Sequence, residues 1–132
     1  MATIELTKDN LEDIVQNSDI LFIDFWAAWC GPCKMFGPIF EKAADEHEGI
    51  VFAKCDTESQ QEVAAAFGVK SIPTLAIFKE QTMIFSQAGA LPAPALTEII
   101  EKVKGLDMEE VRKEIAAAEE ADEAGEKGED DG

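Results

Sequence analysis

The sequence predicts an α/β domain whose mixed sheet of about five strands is flanked by helices on both faces. Strand-like and helix-like segments alternate through most of the chain, an order typical of parallel strands joined by helices. Residues 20–26, ILFIDFW, are almost continuously apolar, as in a central strand covered on both faces. Only three residues separate the last two strand-like segments, which predicts an antiparallel hairpin and therefore a mixed sheet.

Runs rich in branched and aromatic residues predict the strands, and apolar residues at helical spacing predict the helices. In chain order, the predicted strands are residues 3–6, 20–26, 50–55, 74–78 and 82–87. The predicted helices are residues 7–17, 33–48, 59–67 and 94–104.

Capping residues and glycines set the predicted helix boundaries. Thr7 is the expected N-cap of the first helix, and Ser59 with Glu62 forms a capping box at the start of the third. A glycine directly follows the second, third and fourth helices, as is common at helix C-termini. Pro38 lies inside the second helix, where it removes a backbone hydrogen bond and predicts a kink.

The charge divides the chain into two parts. Of the net charge of −17, residues 1–106 contribute 8 − 16 = −8 and residues 107–132 contribute 3 − 12 = −9. This division predicts a folded domain over 1–106 followed by an acidic extension over 107–132. The acidic balance excludes binding to nucleic acid phosphates and to anionic membrane surfaces.

The extension itself predicts a short helix over about 107–120, because apolar residues recur at helical spacing from Met108 to Ala118. The remaining residues, DEAGEKGEDDG, are of low complexity and are expected to be disordered. Two interpretations remain open for this segment: a solubilising tail behind a marginal helix, or a helix that docks a partner or a second copy.

The N-terminus and the cysteine count predict a cytoplasmic protein. Residues 1–10 carry no basic segment followed by an apolar run, so no signal peptide is expected. The longest apolar stretch, residues 20–30, is too short to span a bilayer. Three cysteines do not form the framework of a small secreted domain, which favours a reducing compartment.

The segment Trp29-Cys30-Gly31-Pro32-Cys33 stands where the predicted central strand gives way to a helix. The free N–H groups and positive dipole end of that helix favour the Cys30 thiolate, which is the nucleophile in disulfide exchange. Cys33, three residues on, can close a small disulfide ring and resolve a mixed disulfide. Pro32 has no N–H to compete for the sulfur, and Gly31 lets a substrate backbone come close. A zinc half-site is the alternative, although a second ligand pair is missing.

With these residues in place, the chain resembles the thioredoxin family over roughly residues 1–105. The resemblance is carried by WCGPCK directly after FIDFWA, by Ile72-Pro73-Thr74 about 40 residues later, and by Gly89 beyond it. It implies a thioredoxin fold and a general protein-disulfide reductase, an enzyme that donates electrons to target proteins by thiol-disulfide exchange. The turn at residues 79–81 departs from the family, because the glycine common there is missing.

The resemblance assigns roles to four residues near the sulfurs. Cys30 is the implied nucleophile, Cys33 the resolving cysteine, and Asp24 the acceptor of the Cys33 proton. Strand alternation places Asp24 among apolar neighbours, where desolvation should raise its pKa and make it a better base. Lys54 is implied to tune Asp24. A purely structural, hydrogen-bonded carboxylate is the alternative for Asp24.

The resemblance also implies a substrate-binding surface around the sulfurs. Pro73 is the implied cis-proline facing the cysteine pair, with Gly31 and Pro32 supporting the motif. The implied groove residues are Trp29, Ile72, Gly89 and Ala90. Cys55, on a predicted buried strand, is expected to be a core residue, with a regulatory thiol as the alternative.

No phosphate-binding glycine loop or dinucleotide motif is present, so we expect no bound cofactor or metal and electrons supplied by another protein. The implied partners are a thioredoxin reductase, NADPH-linked or ferredoxin-linked, and disulfide-containing targets; we expect a monomer. A disulfide oxidase or isomerase, a non-enzymatic binding platform and an acidic-tailed holdase are the alternative functions.

Overall fold

The computed structural model describes the backbone of residues 2–130 and the side chains of residues 2–122. Its five strands form one sheet in the order β1-β3-β2-β4-β5. The strands are β1 (Thr3–Glu5), β2 (Ile20–Trp26), β3 (Val51–Asp56), β4 (Thr74–Lys79) and β5 (Thr82–Ala88). The helices are α1 (Leu11–Asn17), α2 (Gly31–Glu46), α3 (Gln61–Ala66), α4 (Ala93–Lys104) and α5 (Met108–Asp130).

Strand β2 lies at the centre of a mixed sheet, as predicted. It runs parallel to β3, which in turn pairs with β1 in the parallel direction. It runs antiparallel to β4, and β4 and β5 form the predicted hairpin. The carboxyl ends of β2 and β3 therefore meet at one edge of the sheet, where β2 leads into α2.

Alternation along β2 divides the apolar core between the two faces of the sheet. Phe22 packs on one face with residues of α2 and α4, including Phe40 and Ile100. Leu21, Ile23 and Phe25 pack on the other face with residues of α1 and α3. Helices on both faces are thus confirmed, and every residue of β2 except Trp26 is buried.

Two predicted helix caps, at Thr7 and Ser59, are wrong, because nearby turns form in front of both helices. Helix α1 begins at Leu11; Asn10 Oδ1 accepts a hydrogen bond from the backbone N–H of Thr7, so Thr7 lies in a preceding turn. Helix α3 begins at Gln61 without a side-chain cap, and no capping box forms from Ser59. Instead, the Asp56 side chain accepts a hydrogen bond from the backbone N–H of Glu58, and this bond closes a turn just before the expected helix.

The hairpin turn between β4 and β5 is made by Glu80 and Gln81, both with positive φ, 50° and 64°. Two consecutive residues with positive φ are the pattern of a type I′ turn, whose twist matches that of the paired strands. Asparagine and glycine normally occupy these positions, because other side chains are strained there. This turn therefore forms at an energetic cost.

Lys79, at the end of β4, is buried and was not singled out from the sequence. Its Nζ donates hydrogen bonds to three carbonyl oxygens at and beyond the end of α4, at 2.7 to 3.1 Å, those of Val103, Lys104 and Leu106. A lysine is favourable there, because the C-terminal carbonyls of a helix carry partial negative charge. Lys79 thus joins the sheet to the segment that leads into α5.

The extension begins as part of the folded body. Met108 is buried, and Arg112 donates to the backbone oxygen of Glu80 and pairs with its carboxylate. The helix continues to Asp130 instead of ending near residue 120, since the alanine and glutamate residues that fill it favour helix. The expected disorder of the tail stays a prediction: the structure describes only the backbone of residues 123–130, and residues 131 and 132 lie outside the described residues.

Within residues 2–130, no helix combines the length and the apolar character that crossing a bilayer requires.

Candidate active site

The two cysteines of the WCGPC segment meet where β2 gives way to α2. Cys30 is the N-cap of α2, and its sulfur accepts a hydrogen bond from the backbone N–H of Cys33 at 3.3 Å. The two residues form a disulfide, with their Cα atoms 5.3 Å apart. Pro32 lies in the first turn of the helix, where its missing N–H leaves no unsatisfied donor. The helix N-terminus therefore directs its free amides and positive dipole end at the Cys30 sulfur.

The loop before β4 lies against this disulfide. The peptide bond between Ile72 and Pro73 is cis, and the Ile72 carbonyl oxygen is 3.6 Å from Cys30 Sγ. On the far side, the Gly89 amide donates to the Pro73 carbonyl oxygen at 2.8 Å, next to the paired ends of β4 and β5. Gly89 has a φ of 111°, which glycine adopts without strain.

A groove of about 490 Å³ runs beside the Cys30 sulfur, between the start of α2 and the loop that carries Ile72. Trp29 forms one wall and is 69% exposed, with its indole N–H donating to the Glu58 carboxylate. The residues that line the groove include Val69, Lys70 and Ser71, none of which was predicted from the sequence.

Of the four predicted groove residues, Trp29 and Ile72 line this groove, and Gly89 and Ala90 do not. Both of the latter are exposed, next to the Pro73 side of the disulfide. The implied contact of Gly89 and Ala90 with a substrate therefore remains a prediction.

Asp24 lies in the middle of β2 and is completely buried. Within the described residues, neither of its carboxylate oxygens has a hydrogen-bond partner. Burial, which penalises the charged form, raises the pKa of Asp24 from 3.8 to about 7; Lys54 lowers it and Glu41 raises it further. A carboxyl group with this pKa can take up and release a proton near neutral pH.

Lys54 is the partner of Asp24 in the register of β2 and β3, but its side chain is paired elsewhere. Its Nζ lies 3.2 Å from Glu41 Oε1 and 5.4 Å from the centre of the Trp26 ring. Glu41 was not predicted from the sequence. The available signal is its position in α2, where Cys33, Gly37 and Glu41 are spaced i, i+4, i+8 and share one helix face.

A cavity of about 310 Å³ lies between Cys33 and the Glu41–Lys54 pair. It is lined by Cys33 and Gly37 on α2, by Trp26 at the end of β2, and by the Glu41–Lys54 pair. It is large enough for several water molecules, and its polar rim offers them partners. Cys33 thus borders a cavity that reaches solvent, whereas the completely buried Asp24 lies behind its lining residues.

The zinc alternative gains no support from the described residues. In the part of the chain that the structure describes, no three His, Cys, Asp or Glu residues are placed to hold an ion. Cys55 is buried in the core between β2 and α3, and burial raises the pKa of its thiol to about 11, with Asp56 adding to the shift. Such a thiol is protonated at neutral pH and is not a nucleophile.

Known proteins are similar to this chain over most of its length. The family model described as Thioredoxin matches residues 2–102. A putative thioredoxin 2 of Streptomyces coelicolor is 55% identical over 115 residues, which are 87% of this chain and 86% of that protein. A thioredoxin of Staphylococcus saprophyticus is 41% identical over 103 residues, 77% of this chain and 98% of that protein.

Among solved structures, a mutant thioredoxin from Halobacterium salinarum superposes with a TM-score of 0.74 at 31% identity, over 80% of this chain and 93% of that chain. The match to the Streptomyces protein is longer than the 106 residues before the extension, so it includes part of the extension.

Proposed function

Since the chain belongs to the thioredoxin family, whose members are protein-disulfide oxidoreductases, we propose that it reduces disulfides of many target proteins through Cys30 and Cys33. The observation that carries the proposal is the pair itself, joined as a disulfide at a helix N-terminus and bordered by an open groove. The thioredoxin fold and the thiol-disulfide chemistry predicted from the sequence are confirmed by these comparisons.

In the first step, the Cys30 thiolate attacks one sulfur of a target disulfide. A Cys30–target disulfide forms, the target disulfide breaks, and one target thiolate leaves and takes up a proton. The amide of Cys33, which donates to Cys30 Sγ, stabilises negative charge on this sulfur, as does the dipole of α2. The exposed edge of Trp29 and the Ile72 backbone contact the target in the groove.

In the second step, Cys33 resolves the mixed disulfide. Its thiol gives a proton to the Asp24 carboxylate, through water in the cavity that Cys33 lines. The Cys33 thiolate then attacks Cys30 Sγ, so that the Cys30–Cys33 disulfide forms and the Cys30–target disulfide breaks. The second target sulfur leaves as a thiolate and takes up the proton that Asp24 releases through water. A thioredoxin reductase returns two electrons and two protons to restore the dithiol.

We assign Pro73 and the adjacent Ile72 backbone to binding of an extended segment of the target. The Ile72 carbonyl oxygen lies 3.6 Å from Cys30 Sγ, which supports this assignment. Gly89 and Ala90 border the same loop on its other side and extend the proposed surface. Lys54 acts on the charge of Asp24 without touching the target.

We further propose that residues 1–106 are the catalytic domain, that residues 107–132 are accessory, and that the protein is a cytoplasmic monomer. The accessory role of residues 107–132 is supported by where α5 attaches. Arg112 contacts the hairpin turn at Glu80, and that turn lies at the end of β4 opposite Thr74, which pairs with Phe25 next to the cysteines. The acidic helix is therefore anchored at the pole away from the sulfurs.

Reduction of insulin with dithiothreitol as the electron source tests the activity. Cys30→Ser should abolish turnover, and Cys55→Ala should match wild type, because the Cys55 thiol is buried away from the groove. Equal rates for wild type and Cys30→Ser would refute the reductase.

Trapping tests the order of the two cysteines. Cys33→Ser should accumulate mixed disulfides with proteins of a native lysate through Cys30, because the resolving thiol is missing. A Cys30→Ser, Cys33→Ser double variant is the control and should capture none. Absence of mixed disulfides in Cys33→Ser would favour a non-enzymatic binding platform.

A further inference from the structure

The strand register would pair Lys54 with Asp24, but the Lys54 side chain is paired elsewhere. Asp24 and Lys54 are direct partners on the parallel strands β2 and β3, so both side chains leave the same face of the sheet. Within the described residues, however, the Asp24 carboxylate has no hydrogen-bond partner. The Lys54 ammonium is paired with Glu41 of α2 instead, at 3.2 Å.

Two carboxylates thus compete for one ammonium group, and solvation decides between them. The side chains of Lys54 and Glu41 are 25% and 30% exposed, so both charges keep part of their hydration when they pair. Pairing with Asp24 would require the ammonium to enter a fully buried site and lose its water. The pair with Glu41 is therefore the less costly arrangement.

Helix α2 provides the space for this arrangement. A side-chain Cβ at Gly37 would lie 3.6 Å from Lys54 Nζ, so the ammonium rests against the helix surface one turn before Glu41. On the other side, the ammonium lies over the Trp26 ring, where a cation is attracted to the π face. Lys54 is thus held from three directions on the solvent side of Asp24.

We propose that Glu41 is a positioning residue: its carboxylate holds the Lys54 ammonium at the rim of the cavity, so that the Asp24 carboxyl stays unpaired and accessible to the Cys33 proton. This inference rests on the proposed role of Asp24 as proton acceptor. Without Glu41, Lys54 would be free to turn toward Asp24 and hold it as a carboxylate. Glu41 would then matter for the chemistry without touching the sulfurs or the target.

The charges around Asp24 determine whether its pKa rises or falls when Glu41 is replaced. Lys54 on β3 lowers the pKa of Asp24, and Glu41 on α2 raises it. Lys34 also lines the cavity, and Asp56 and Glu5 line the adjoining cavity behind the Glu41–Lys54 pair. Removing the Glu41 charge therefore lowers the pKa of Asp24 directly, and again by releasing Lys54 toward it.

The test is an NMR titration of the Asp24 carboxyl carbon in the full-length oxidised protein. Glu41→Gln should lower the midpoint by about one pH unit, the shift expected when an opposite charge comes close. Glu46→Gln, the same change at an exposed site on the same helix, should leave the midpoint unchanged. Glu41→Asp, which keeps the charge, should restore most of the wild-type value.

Lys54→Met tests whether the Glu41–Lys54 pair positions a charge or only stabilises the structure. If the pair were purely structural, removing either partner would shift the Asp24 midpoint in the same direction. Positioning predicts opposite shifts, with the midpoint raised by Lys54→Met and lowered by Glu41→Gln. The pH profile of mixed-disulfide resolution should move with the midpoint in each variant.

Two results would overturn the inference: an unchanged Asp24 midpoint in Glu41→Gln, or shifts of the same sign in Glu41→Gln and Lys54→Met. The proposed role of Asp24 as proton acceptor fails separately, since it would be contradicted if Asp24→Asn resolved mixed disulfides at the wild-type rate. The Asp24 midpoint is measured without reference to activity, so the two failures are distinguishable.

Discussion

Replacing Asp24 by asparagine should stabilise the folded protein, and the gain should grow as the pH rises from about 4 to about 7. Asparagine has nearly the shape of the aspartic acid side chain but carries no charge. The buried aspartate has no hydrogen-bond partner among the described residues, so its ionised form is costly to keep in the core. Above about pH 4 the carboxyl ionises in the unfolded wild-type chain but is held protonated in the fold, and the substitution removes the cost of this difference.

The size of the effect follows from proton linkage. Folding raises the pKa of Asp24 from 3.8 to about 7. Below about pH 4 the carboxyl is neutral in both states and contributes no difference. Between the two values the unfolded chain has lost its proton and the folded chain retains it, so the free energy of unfolding falls as the pH rises. With about 1.4 kcal/mol per unit, the loss is about 2 kcal/mol at pH 5 and about 4 kcal/mol above pH 7.

Urea unfolding of the oxidised protein at about pH 5, 7 and 8.5 measures this difference. The advantage of Asp24→Asn over wild type should increase by about 2 kcal/mol between the lowest and highest pH. Asp19→Asn, at an exposed position, should show no pH-dependent advantage. A constant difference between Asp24→Asn and wild type across this range would refute the reasoning, because it would mean that folding does not perturb the carboxyl.

Three further predictions concern stability, each measured by urea unfolding. Lys79→Met should lower the free energy of unfolding by about 1–3 kcal/mol, because three carbonyl oxygens lose a charged donor. The control Lys70→Met, at an exposed position, should cost nothing. Equal stability of the two variants would contradict a stabilising role for the three hydrogen bonds of Lys79. Gln81→Gly should raise the free energy of unfolding by about 0.5–1 kcal/mol, because glycine adopts a positive φ without strain. Gln87→Gly, within β5, should lower it by about as much. A loss of stability at both sites would exclude strain in the turn. Truncation after Gly105 should cost about 2 kcal/mol through loss of the buried Met108 side chain, whereas truncation after Ala118 should cost nothing. Equal stabilities would show that the first turn of α5 does not contribute to the folded body.

The order of elements and the mixed sheet could be predicted, because they depend on patterns within single segments. The apolar run of β2 and the three-residue gap before β5 were sufficient for this. Helix starts were less predictable, since one side chain can satisfy several nearby amides. Asp56 forms a turn with the Glu58 amide, and the capping box expected from Ser59 does not form.

Parts of the candidate site were also open to prediction from local pattern. The spacing of Cys30 and Cys33 at a strand-to-helix junction predicts their approach, and alternation along β2 predicts the burial of Asp24. The partner of Lys54 was not open to prediction in this way. It depends on how α2 lies across the sheet, and Glu41 comes from a segment 13 residues away in sequence.

By itself, the sequence determined the type and order of the strands and helices and where the reactive pair stands, because these features arise from contacts a few residues apart. Only the tertiary structure decided which of two carboxylates holds Lys54, how Lys79 joins the end of α4, and that the first turn of α5 belongs to the folded body. Each of these is a choice between partners from separate segments. Burial and solvation in the folded chain determine which partner is favoured, and neither can be deduced from a local sequence pattern.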